Sequence, residues 1–83
     1  MKTAKEAYWE SIKGINIKEN ERIVIESKDL GYCCLFAKDI LERANKEELF
    51  KVVLESGNKD WINAFIEDIE FDKEKFVNYI LFI

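Results

Sequence analysis

Apolar residues recur along this chain three and four positions apart. Cys33, Phe36, Ala37, Ile40, Leu41 and Ala44 form one such series, and Trp61, Ile62, Phe65, Ile66 and Ile69 form another. That spacing places each set on one stripe of an α-helix, the stripe that faces a core. Leu49, Val52 and Val53 mark a helix between them. Ile23, Val24 and Ile25 have the β-branching of a strand. The segment that aligns with them, Glu48–Ser56, has a plainly helical pattern, so both are read as helix.

The polar residues between these stripes read as caps. Thr3 with Glu6 has the spacing of a capping box, as do Asn16 with Glu19 and Asn45 with Glu48. Asp29, Asn58 and Asp72 are further N-cap candidates, and Gly14 can close the first helix. The pattern predicts six short helices near 4–13, 17–27, 30–44, 46–56, 59–69 and 73–82. Each is too short to persist alone, so packing has to hold it.

The pattern also repeats. Asn16–Arg43 set against Asn45–Asp72 gives identity at eight of 28 positions, among them Val24/Val53, Ser27/Ser56, Phe36/Phe65, Asp39/Asp68 and Ile40/Ile69. Ordinary composition gives about two. A period of this size means stacked supersecondary units. The expected fold is all-α: a half-unit over 1–14, helix–turn–helix repeats over 16–43 and 45–72, and a terminal half-unit over 73–83. Together these would make one helical-repeat domain, a short α-solenoid or compact helical bundle.

Composition narrows this reading. The 83 residues suffice for a single domain, and 48% apolar content is enough for a packed core. Proline is absent, so long regular elements meet few breakers. No apolar run approaches the roughly 18 residues of a membrane span, and no cationic segment leads into an apolar one at the start. A soluble, cytoplasmic protein without membrane contact is expected. The net charge is −4 with no Lys/Arg cluster, which argues against direct binding to nucleic acid.

The strings Val24–Ser27, Tyr32–Cys33, Phe36–Ile40 and Gly14–Ile17 resemble short helical-repeat proteins of bacterial and phage genomes. The second copy matches at Val53–Gly57, Trp61 and Phe65–Ile69, and departs at Asn63, Ala64 and Ile66. The resemblance implies an architecture and carries no catalytic or binding residues with it.

Candidate chemistry is sparse. Cys33-Cys34 suggests a redox pair or half a metal site, but structural zinc takes four Cys/His ligands and the chain has two Cys and no His. Two free thiols, at least one buried, are the expectation. Ser27 and Ser56 adjoin Glu26 and Glu55, yet without histidine they read as turn-shaping residues, as do Asp39 and Asp68. Gly14, Gly31 and Gly57 are scattered at turns and form no phosphate loop. No enzyme, metal or cofactor is expected.

Two features break the repeat. From Asp60 to Glu74 the acids Asp60, Glu67, Asp68, Glu70, Asp72 and Glu74 face one lysine, Lys73, a local net of −5. Such a stretch is either a solvated face or an acidic patch that imitates a phosphate track for a basic protein groove. The chain also ends on apolar residues. Val77, Leu81 and Phe82 cannot share one face with Phe76, Tyr79, Ile80 and Ile83, and the adjacent Tyr8 and Trp9 cannot both point into one core. Tyr8, Trp9, Val77, Leu81 and Phe82 are therefore candidate interface residues, and a homodimer would cover them.

The expectation is a non-enzymatic protein–protein binding module. With the resemblance, it takes the form of a small phage-type inhibitor, anti-CRISPR-like, docking through its acids on the nucleic-acid groove of a host enzyme. The alternatives are an assembly module joined through apolar terminal helices, and a peptide scaffold with a groove lined by residues that differ between copies, such as Leu35, Asn63 and Ala64.

Overall fold

The structure is a computed structural model that describes residues 2–40 and 44–77. Those residues form five α-helices, α1 (Ala4–Ile12), α2 (Ile17–Ser27), α3 (Leu30–Asp39), α4 (Lys46–Glu55) and α5 (Lys59–Asp68), then a 3-10 turn at Lys73–Phe76. The chain is all-α, as its pattern predicts. Helices α1, α3 and α5 lie side by side, α2 packs beside α4, and each row closes over the other. The Cα extents of 36 × 23 × 16 Å fit two helical layers.

Local chemistry explains most boundaries. Thr3 and Glu6 form a complete capping box, each side chain bonded to the other's backbone N–H. The α2–α3 and α4–α5 turns are built alike. Ser27 and Ser56 donate to the carbonyls of Val24 and Val53 and accept from the N–H groups of Asp29 and Asn58. Asp29 and Asn58 then cap the next helix by accepting from the N–H groups of Tyr32 and Trp61. The residues between, Lys28 and Gly57, are both left-handed, with φ of 56° and 72°.

Four expectations need correction. Helix α3 ends at Asp39 with Ile40 as its cap, short of residue 44, although Ile40, Leu41 and Ala44 continue its apolar series. Asn45 caps the start of α4, and α5 likewise ends at Asp68 with the matching Ile69 as its cap. The final helix begins as a 3-10 turn, Asp72 makes no side-chain cap bond, and the rest of the expected helix lies outside the described residues. Asn16 forms no capping box with Glu19. Its backbone is left-handed at φ 48°, a conformation asparagine tolerates, and its amide donates to Glu10 instead. Asn45 accepts from the Glu48 N–H, but the Glu48 carboxylate pairs with Arg22 of α2, so only half of that box exists.

The core is one cluster. Val24, Cys33, Phe36, Leu49, Phe50, Val53, Ile62 and Phe65 are fully buried. Phe50 sits within 4.8–5.1 Å, centroid to centroid, of Phe65, Phe71 and Phe76. At the opposite end Asn20 is fully buried where the second copy has Leu49. It survives there because its amide donates to Glu10 and to the Ile15 carbonyl while its oxygen accepts from Lys2.

Candidate protein-interaction surface

The cysteines, the repeated serines and Asp39 are committed to structure. Cys33 is buried, its Sγ 3.7 Å from the Val24 carbonyl, and burial pushes its thiol up to about 12. Cys34 is half-buried and pushed up to about 11 by burial, with Asp68 adding to the rise. Both are free and protonated at neutral pH, hence poor nucleophiles and poor ligands. Ser27 and Ser56 spend their hydroxyls on turns. Asp39 accepts from the Tyr8 hydroxyl, which burial and that bond push up to about 12. Among the described residues no group of three or more His, Cys, Asp or Glu side chains is placed to hold a metal ion. A depression at the α1–α2 turn, lined by Gly14 and Asn16–Glu19, is open to solvent and brings together no converging set of groups.

A trough between α3 and α5 is better formed. Its volume is about 260 Å³, and it is lined by Gly31, Cys34, Leu35 and Lys38 from α3 and by Trp61, Ala64, Asp68 and Ile69 from or just after α5. The α3 residues follow helical spacing, so one face of α3 makes one wall. Gly31, Cys34 and Ala64 are small where the helices meet, and this leaves the space open. Leu35 and Trp61 form the rims, 40% and 38% exposed. Trp61 had the spacing of a core residue, but its ring lies against Gly31, where an added Cβ would stand 3.7 Å from it. Of the residues expected in a groove because they differ between copies, Leu35 and Ala64 line this one, whereas Asn63 is exposed and does not.

The acidic stretch lies beside the trough. Asp60, Glu67, Asp68, Glu70, Asp72 and Glu74 are all exposed, and among the described residues none of them enters an ion pair. Two of the nearby lysines are engaged elsewhere: Lys75 pairs with Glu47 at 3.0 Å, and Lys73 Nζ stands 5.9 Å from the Phe71 ring centre, whereas Lys59 adjoins Asp60 and Lys38 lines the trough with Asp68. Asp68 alone belongs to both features.

The apolar candidates divide. Tyr8 is buried against Tyr32 and bonded to Asp39, so it serves the core and is no interface residue. Trp9 is 54% exposed and Val77 49%, while Leu81 and Phe82 lie outside the described residues. Ile12 and Ile15 are also exposed and carried no signal in the sequence, because they sit at the end of α1 and in the turn after it.

No described helix is long and apolar enough to cross a membrane. Set against protein-family models, curated proteins and solved structures, the chain matches none of them.

Proposed function

We propose that this chain is a non-enzymatic protein-binding module that offers an acidic face to a basic partner. One observation carries this reading: six carboxylates within 15 residues, all exposed and none in an ion pair among the described residues. Surface acids usually find or tolerate a neighbouring cation, so a set left open has unspent attraction for an incoming one. Lys/Arg-lined grooves that neutralise a phosphate backbone are concentrated cationic surfaces of the kind such a face would attract. The partner class is therefore a nucleic-acid-handling enzyme, and the mode of action is occlusion of its groove, as in an inhibitor of the anti-CRISPR kind.

Affinity capture from host cells, wild type against a Glu67→Lys/Asp68→Lys/Glu70→Lys variant, tests this. The wild type should retain a nucleic-acid-handling protein at low salt and release it to added nucleic acid or at about 300 mM salt. Equal retention by the charge-reversed variant eliminates the acidic mechanism. A second reading, assembly through apolar ends, draws on the exposure of Trp9 and Val77. It predicts a salt-insensitive dimer in sedimentation that Trp9→Asp dissociates, and a monomer at high concentration dismisses it.

A further inference from the structure

We infer that the trough between α3 and α5 is the specificity pocket of the acidic face, built to seat one or two aliphatic side chains of a basic amphipathic helix. The inference rests on the protein-binding reading above and names the form its partner takes. Three observations converge. The trough has apolar walls and rims, with Leu35 and Trp61 partly exposed on either side. At about 260 Å³ it falls just below the roughly 300–1,000 Å³ of sites that enclose a small ligand, so it suits side chains projecting from a larger partner. Acids outnumber cations around it: Asp68 lines it with Lys38, Asp60 and Glu67 lie on α5 with Lys59, and Asp29 Oδ1 stands 3.4 Å from the site of a Gly31 Cβ.

A helix laid in a groove presents anchors one turn apart, and its flanking residues meet the rims. Here the acids Asp60, Glu67 and Asp68 call for Lys or Arg on the flank that runs along α5. Lys38 is the one cation among the described residues of the lining, and it stands near the C-terminal end of α3, with Asp68 at the corresponding end of α5. An occupant with a single carboxylate at that end would be held in one direction.

The probes are a synthetic helix with a Leu face and a Lys face, the same helix with Gln for Lys, and a Lys-only peptide. Trp9→Phe leaves Trp61 as the sole tryptophan, so its emission reports on the trough directly. The Leu/Lys helix should bind and shift Trp61 emission to the blue. Ala64→Phe, which fills the trough, and Leu35→Asp, at a half-exposed site that the fold tolerates, should each weaken it about tenfold. The Lys-only peptide should bind weakly without a shift. Unchanged binding in both trough variants overturns the inference. If the Glu67→Lys/Asp68→Lys/Glu70→Lys variant nevertheless loses the helix, the acidic face stands without its pocket. Equal binding of the Leu/Gln helix, or retention of Leu/Lys by the charge-reversed variant, removes the basic character of the occupant and overturns the inference from the other side.

Discussion

Single residues in this chain are best judged against their counterparts 29 positions away. Lys28 and Gly57 occupy the same left-handed turn, but only glycine adopts it without steric cost. Lys28→Gly should stabilise the protein by about 0.5–1 kcal/mol and Gly57→Lys destabilise it by about 1 kcal/mol, measured by urea unfolding. Glu10 lies before the aligned repeat begins at Asn16. Its bond from Lys2, then those from the Asn20 and Asn16 amides, hold its carboxyl down at about 2, below the ordinary 4.5. The fold favours its ionised form, so the stability it supplies is complete above pH 4.5 and fades as pH falls through about 2. Glu10→Gln should be less stable at neutral pH and should show a flatter stability profile across that window in acid titrations. The side chains that create this cluster were invisible in the sequence. Asn20 stands on the inward stripe of α2 where the second copy has Leu49, but a polar residue there gives no core signal, and its partners Lys2, Glu10 and Ile15 come together only once α1 packs on α2. The Thr3–Glu6 box and the Asp29 and Asn58 caps were legible because both halves of each bond lie within three residues.

At the scale of elements, the apolar stripes placed α3 and α5 in the chain but ran α3 on to residue 44, past its end at Asp39; Phe36, Ile40, Phe65 and Ile69 are buried at matched positions. They missed Phe50. Its counterpart is Glu21, a partly buried carboxylate that burial raises and that accepts from the Asn45 N–H, so the repeat gave no hint of an aromatic core position. The trough was only half legible for a related reason: a sequence can mark positions that vary between copies, but the space arises from small residues on two helices facing each other. Phe50 nevertheless joins α4 to α5 and to the segment beyond. It is fully buried, and its ring meets Phe65, Phe71 and Phe76. Phe50→Ala should cost about 3–5 kcal/mol. Domains of this size hold about 4–12 kcal/mol in total, so most of the stability would go. Phe71, only partly buried on the edge of the same cluster, should cost clearly less on the same substitution. Comparable losses at the two sites in thermal unfolding would mean that the cluster is not centred on Phe50.

For the whole molecule, the open acidic face has to be weighed against stability. Among the described residues three ion pairs, Lys2–Glu10, Arg22–Glu48 and Lys75–Glu47, tie neighbouring parts of the chain together, and none of them involves the six acids from Asp60 to Glu74. Those acids repel one another in the folded chain, since a compact fold holds like charges closer than an unfolded one does. A face kept open for a partner therefore carries a standing energetic cost, and neutralising it should release that cost. Glu67→Gln/Glu70→Gln/Glu74→Gln should raise the melting temperature at low salt by about 2–4 °C, which for a domain of this size corresponds to about 0.5 kcal/mol. The comparison with wild type cancels the three ion pairs, which both proteins share, so the residual salt dependence belongs to the acids alone. The gap should close by about 300 mM salt, where the screening length falls below the spacing of exposed side chains. A variant less stable than wild type at low salt would mean that these carboxylates are already compensated within the chain, and the surplus charge offered to a partner would then not exist.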